Sequence, residues 1–193
     1  MKKIFFTLLV FGCLSTSITY SQSKKHVYIL EYSVGLGTDF IDNASFRGIG
    51  FEYRNMIKPN IGVGVGFGYN FFYEEKDYDT YTNGNESFSG KQFRYLHNIP
   101  MIVAGDYYFK PNEKINPFVG FGIGGNYIFK RTEMGVFLID DEAFQFAMRP
   151  EVGAIFQAGP NANISFTAKY LIGTDADDID AVNYFALNIG YVF

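Results

Sequence analysis

The chain has 193 residues and a formal net charge of −4 at pH 7. Its acidic balance argues against a nucleic-acid partner, and its single cysteine excludes an internal disulfide. Aromatic residues make up 19% of the chain, with 22 Phe, 15 Tyr and no Trp, and there are 21 Gly. This composition is ordinary for a β-barrel and unusual for a soluble helical protein.

The first 21 residues have the anatomy of a secretory signal peptide. Two lysines follow Met1, an apolar run extends from Ile4 to Leu14, and residues 15–21 are small or polar. The apolar run is too short to cross a bilayer. We expect cleavage after Ser21, which leaves one domain over residues 22–193 with 14 basic and 20 acidic residues, a charge of −6. A lipoprotein signal ending at Cys13 is less favoured, because Phe11 is bulky for such a site.

Alternation of large apolar residues with small or polar ones predicts β-strands, since successive side chains of a strand point to opposite faces. Most of the predicted strands have the length that crosses a membrane when tilted. Eight strands are expected, at about 27–37, 46–57, 61–73, 93–109, 117–130, 144–157, 164–172 and 183–193.

The predicted connections alternate between short and long. Those at 58–60, 110–116 and 158–163 are short and carry Pro-Asn turn chemistry. The long ones, at 38–45, 74–92, 131–143 and 173–182, are polar and contain fifteen of the 20 acids. This order predicts an antiparallel up-and-down meander with both termini at the short-turn rim and an anionic crown of loops at the other. Divalent-cation binding at 175–180 is an alternative interpretation of part of that crown, although the stretch lacks the glycine and final Glu of a calcium loop.

The faces opposite the apolar columns carry charged residues in balance. In an eight-stranded barrel with lipid outside, these faces enclose a lumen that side chains fill. We expect the charges to pair there as a plug, with a polar gate or ligand-contacting site as the alternative. The predicted lumen charge network consists of Glu31, Glu52, Arg54, Arg94, Asp106, Arg149, Glu151 and Lys169.

Two features that resemble functional motifs carry little weight. Residues 120–125 match the G-x-G-x-x-G spacing, but alternation continues through them, whereas a dinucleotide site needs a helix to begin there. The two histidines, His26 and His97, lie far apart in sequence. The sequence therefore supplies no catalytic, cofactor-binding or metal-ligating residue that we would assign.

The last strand carries the clearest family resemblance. Its alternating large residues resemble the assembly signal of bacterial outer-membrane barrels and are Phe185, Leu187, Ile189, Tyr191 and Phe193. Together with eight strands, the chain resembles the small OmpA/OmpX/OmpW-type outer membrane protein beta-barrel family, including PorT-like members. The resemblance implies an eight-stranded transmembrane β-barrel in the outer membrane, with periplasmic turns and termini and extracellular loops.

That resemblance also implies partners. They are outer-membrane lipids and lipopolysaccharide, the barrel assembly machinery and an extracellular partner at the acidic loops, with the barrel itself a monomer. The expected function is non-catalytic, in envelope integrity or surface interaction. A narrow channel or binder for small, hydrophobic solutes is the alternative, and a lipid-modifying enzyme or secretion accessory a lesser one. A lipocalin-like barrel would need the apolar columns inside.

Overall fold

The computed structural model describes residues 26–193 except 84–85, 112, 160–161 and 177–178. The predicted signal peptide, residues 1–21, lies outside the described residues. Within the described part of the chain, no helix is long and apolar enough to cross a membrane.

The described residues form a closed ring of eight antiparallel strands, each paired with its neighbours in sequence, and β1 closes the ring on β8. The predicted fold class is therefore confirmed. Both ends of the described chain lie at the rim with the short turns, where the Phe193 amide donates to the Tyr28 carbonyl. The strands are β1 (His26–Leu36), β2 (Ser45–Lys58), β3 (Ile61–Asn83), β4 (Glu86–Tyr108), β5 (Ile115–Met134), β6 (Phe137–Gln157), β7 (Asn163–Gly173) and β8 (Tyr184–Val192).

Two of the predicted long loops are wrong. Segments 74–92 and 131–143 are mostly strand: β3 and β4 pair out to Asn83 and Glu86, and β5 and β6 pair out to Met134 and Phe137. Pairing of β3 with β2 stops at Asn70, and pairing of β6 with β7 stops at Ala147. Beyond the rim of the barrel, β3–β6 therefore continue as a projecting four-stranded sheet, which we call the blade. On β6, residues 137–142 are all exposed, so water reaches both faces of the blade there and its sequence has little need of apolar–polar alternation.

The large apolar columns face outward, as expected for a wall in lipid. On β3, the Phe67 side chain is 51% exposed, while Phe72 and Asn70, which point inward, are buried. On β8, Ile189 is 45% exposed and its neighbour Asn188 is buried. This partition is the reverse of the one that a lipocalin-like barrel requires.

Glycine is required where the inward face meets a neighbouring backbone. A Cβ atom on Gly64 would overlap the carbonyl oxygen of Tyr53 on β2. We expect Gly64→Ala to lower the free energy of unfolding by about 1–3 kcal/mol, because overpacking forces the backbone to move. Urea unfolding from lipid vesicles measures this change. Gly105→Ala is the matched control, since its Cβ would meet nothing closer than 3.8 Å; equal losses in both variants would contradict the prediction.

Candidate functional site

A cluster of ion pairs fills the lumen on the short-turn side of its middle. Arg54 on β2 lies at its centre and is fully buried. Its guanidinium donates from Nε to Asp106 Oδ2 at 2.5 Å, and from Nη2 to Glu52 Oε2 at 2.7 Å and Glu151 Oε1 at 3.1 Å. Three carboxylates from three strands thus converge on a single guanidinium.

Two further cations extend the cluster across the lumen. Arg149 Nη2 lies 2.6 Å from Glu52 Oε1 and 2.9 Å from Glu151 Oε2. Lys169 Nζ donates to the same Glu52 oxygen at 2.6 Å and also to Glu31 Oε2. All seven residues are 0–7% exposed. We call this set the lumen cluster: Glu31, Glu52, Arg54, Asp106, Arg149, Glu151 and Lys169.

Strand register and glycine explain how these long side chains fit. Glu151 and Lys169 are direct partners across β6 and β7. A Cβ on Gly66 would lie 3.1 Å from Glu52 Oε1 and 3.3 Å from the Arg149 guanidinium, and one on Gly120 would overlap the Asp106 and Glu151 side chains. The inward glycines of β3 and β5 therefore leave the volume that the charged side chains occupy.

The structure does not bring Arg94 into the lumen cluster. Its Nε donates to Gln92 Oε1 at 2.8 Å, its Nη1 donates to the Phe40 carbonyl at 3.0 Å, and its guanidinium stacks over the Phe40 ring. Arg94 lies twelve residues before Asp106 on β4, toward the loop side, which is about 40 Å of strand. The cluster consequently holds four acids and three bases, not the balanced four and four that the sequence suggested.

A layer of amides lies above the cluster, toward the loops. Tyr184 Oη accepts hydrogen bonds from Asn70 Nδ2 at 3.0 Å and Asn98 Nδ2 at 2.7 Å. Asn126 Nδ2 donates to Asn98 Oδ1 at 2.6 Å. The inward position of Asn70 and Asn126 follows from alternation, but nothing in the sequence pairs Tyr184 with residues more than 80 positions away.

The loop-side mouth of the lumen is closed by apolar side chains. Loop residues Ile41 and Val182 fold inward onto the strand residues Phe72, Leu96 and Ile128, and these five side chains are 0–2% exposed. Gln145 clamps one loop, accepting from the Val182 amide at 3.1 Å and donating to the Asp180 carbonyl at 3.0 Å. Sequence reasoning missed this closure, whose only signal is isolated apolar residues in otherwise polar loops. The mouth plug consists of Ile41, Phe72, Leu96, Ile128 and Val182.

Little space remains between these layers. A cavity of about 30 Å³ lies between the cluster and Tyr184, which is room for about one water molecule. A larger vestibule of about 350 Å³ opens at the short-turn rim, where Tyr108 lines it. Tyr108 Oη donates to Asp106 Oδ2 at 3.3 Å and so joins the vestibule to the lumen cluster.

The structure also bears on His97 and on the acidic stretch 175–180, which the sequence had singled out. His97 faces outward, where its Nδ1 lies 2.8 Å from Tyr69 Oη and its ring centroid 4.8 Å from that of Phe71, within an aromatic belt at the loop side. The described residues contain no group of three or more His, Cys, Asp or Glu arranged to hold a metal ion. The acidic stretch 175–180 is only partly covered, because residues 177–178 lie outside the described part.

The tip of the β5–β6 hairpin is apolar and exposed. It follows a turn in which Gly135 has a φ of +59°. Its four consecutive side chains, which we call the tip patch, are 94%, 53%, 54% and 53% exposed and belong to Val136, Phe137, Leu138 and Ile139. Neither the strand around this tip nor its exposure was foreseen, because 131–143 looked like a polar loop.

A family model described as "Outer membrane protein beta-barrel domain" matches residues 6–193. The chain belongs to this family. The predicted family resemblance is thereby confirmed, and membership supports a location in the outer membrane of a Gram-negative bacterium. No curated protein matched the sequence.

Solved structures share the fold at low sequence identity. The chain is similar to Ail, the attachment invasion locus protein of Yersinia pestis, solved with the heparin analogue sucrose octasulfate, at 16% identity and TM-score 0.55, covering 87% of this chain and 98% of that one. The chain is also similar to the outer membrane protein OprG of Pseudomonas aeruginosa, at 13% identity and TM-score 0.52, covering 88% of this chain and 96% of that one. A third similar structure is the outer membrane protease OmpT of Escherichia coli, at 8% identity and TM-score 0.52, covering 92% of this chain and 98% of that one. These likenesses establish the fold alone, because one fold serves many functions.

The residues of the predicted assembly signal share one face. Phe185, Leu187, Ile189, Tyr191 and Phe193 are all exposed on the outer wall of β8 and the residue after it, and each is 38–48% accessible. The face is the one that alternation predicts, and its role in assembly stays a prediction.

Proposed function

We propose that this outer-membrane barrel is a closed, non-conducting wall protein that serves envelope integrity and surface interaction. The observation that carries the proposal is the double closure of the lumen, by the mouth plug at the loop side and by the lumen cluster below it. The cavity that lies between them has a volume of about 30 Å³. A hydrated ion path needs a continuous column of water, and both closures interrupt it.

Orientation and partners belong to the same proposal. The short-turn rim and both termini face the periplasm, and the blade stands outside the cell, which is the arrangement typical of bacterial outer-membrane barrels. Outer-membrane lipids and lipopolysaccharide surround the apolar wall of a monomeric barrel. The outward residues of β8 from Phe185 to Tyr191, together with Phe193 after the strand, serve as the signal for the barrel assembly machinery.

The alternative functions receive less support from the structure than a closed wall protein does. A narrow channel or a binder of hydrophobic solutes needs lumen volume, and the closed lumen disfavours it. A polyanion such as the sucrose octasulfate bound by Ail is disfavoured here, because acidic residues dominate the loop side of this chain. For an enzymatic role, like that of the OmpT protease, we assign no catalytic residues in this chain. For a role as a secretion accessory, no feature of the described residues gives specific support.

Recording in planar lipid bilayers tests the closed lumen. We expect insertion of the purified barrel to give no steady conductance steps, with a general porin in the same bilayer as the positive control. The variant Ile41→Ser/Val182→Ser, which opens only the mouth plug, is expected to stay closed, because the lumen cluster still blocks the path. Stable single-channel steps from the unaltered protein would contradict the proposed function.

A further inference from the structure

The tip patch is unusual for a surface facing water. Val136–Ile139 are four consecutive large apolar residues, and each is more than half exposed. Scattered apolar residues are normal on protein surfaces, but contiguous exposed patches mark sites of interaction. On the barrel wall, lipid accounts for such exposure. The tip patch lies outside that wall, so its exposure has another cause.

The tip patch is held away from the wall by an ordered stem. Met134 pairs with Phe137 across the hairpin. Below them, the Arg131 guanidinium grips Asp140 with two hydrogen bonds of 2.7 and 2.9 Å. Gly135 lies six positions beyond Phe129 of the aromatic belt, which is about 20 Å of strand. The patch therefore stands clear of the lipid that surrounds its own barrel.

Acidic residues flank the patch on both strands of the hairpin. Lys130 and Arg131 lie on the same hairpin, and Arg131 pairs with Asp140. The net charge of residues 130–142 is nevertheless −2, because these two bases are outnumbered by Glu133 on β5 and by Asp140, Asp141 and Glu142 on β6. These carboxylates oppose an approach to anionic lipid, and they oppose a second copy of the chain, whose own carboxylates would meet them. Charge complementarity instead favours a basic surface, and a surface both basic and apolar is a property of proteins more than of bilayers.

We propose that Val136–Ile139 is a docking element for a partner polypeptide that offers an apolar pocket bordered by lysine or arginine. The inference rests on the proposed function in one respect, the display of the blade on the cell surface. Apolar side chains of the tip enter the pocket, and the flanking carboxylates meet the basic border. The apolar contact supplies most of the affinity, while the charges steer association.

Binding to a defined probe tests the docking element. The barrel is placed in nanodiscs of zwitterionic lipid, and a labelled alternating leucine–lysine peptide of about ten residues is titrated by fluorescence anisotropy, with empty nanodiscs subtracted. The tip variant Val136→Ser/Leu138→Ser is expected to bind at least ~10-fold more weakly than the unaltered protein. Tyr78→Ser, which removes an exposed side chain from the other hairpin of the blade, is the matched control and should bind within ~2-fold.

Further arms separate the competing explanations. A leucine–glutamate peptide should fail to bind, and a serine–lysine peptide should bind weakly and without regard to the tip variant. Equal affinity of the tip variant and the unaltered protein for the leucine–lysine peptide would overturn the proposal. It would also be overturned if light scattering showed a dimer, or pelleting showed capture of anionic vesicles, that the tip variant alone abolishes. These readouts are independent of bilayer conductance, so the closed lumen and the docking element can fail separately.

Discussion

Replacing Arg54 with alanine is expected to lower the free energy of unfolding by about 3–5 kcal/mol, since the substitution leaves the buried Asp106 without its cation and removes one of the cations that contact Glu52 and Glu151. Arg54 is fully buried and contacts Glu52, Asp106 and Glu151 at 2.7, 2.5 and 3.1 Å. Its loss leaves four carboxylates and two cations in a part of the lumen where each of these side chains is at least 93% buried. Urea titration of the barrel in lipid vesicles, followed by the heat-dependent shift of the folded band on gels, measures the change.

The matched control is an exposed ion pair at the short-turn rim. Lys110 Nζ lies 3.1 Å from Glu113 Oε2, with both side chains more than half exposed. Lys110→Ala should cost less than about 1 kcal/mol, because water screens the pair. If Arg54→Ala unfolded at the same urea concentration as Lys110→Ala, the lumen cluster would not be the paired, dry interior described above.

A cation on the outer wall tests which face meets lipid. Phe67→Arg is expected to cost about 2–4 kcal/mol, because the outward side chain of Phe67 lies within the span of the barrel, where a charge faces hydrocarbon. Folding free energies in vesicles of defined lipid supply the measurement. The companion variant Phe109→Arg, outward at the short-turn rim, should cost at most about 1 kcal/mol, since its charge reaches the interface. Equal costs at the two depths would show that the wall does not face a bilayer.

The number of strands and the two faces of the wall were predictable from alternation. A strand with lipid on one side and a packed lumen on the other must change character at every residue, as Gly66, Phe67 and Gly68 do. The inward position of Glu52, Arg54 and Glu151 follows from the same period. Their partners do not, because period two gives the face of a residue but not its depth relative to other strands.

The blade, the mouth plug and the place of Arg94 lay beyond sequence reasoning for distinct physical reasons. On β6 of the blade, residues 137–142 are exposed on both faces, so no alternation marks this part of the strand. The mouth plug depends on loops that turn inward, and the only hint is a lone Ile41 or Val182 among polar neighbours. Arg94 does face inward, yet its depth in the lumen, beside Gln92 and Phe40, follows from the register of a strand that proved longer than predicted.

The Lys169–Glu31 contact joins residues 138 positions apart, from the seventh strand to the first. Lys169 and Glu31 cannot meet until β8 pairs with β1 and closes the barrel. A folding intermediate with an open sheet therefore lacks this ion pair. A closure slipped by two residues would keep each side chain on its proper face and still leave cations beside the wrong neighbours. The ion pairs of the lumen cluster therefore favour the native register of β1 against β8 over a shifted one when the barrel closes.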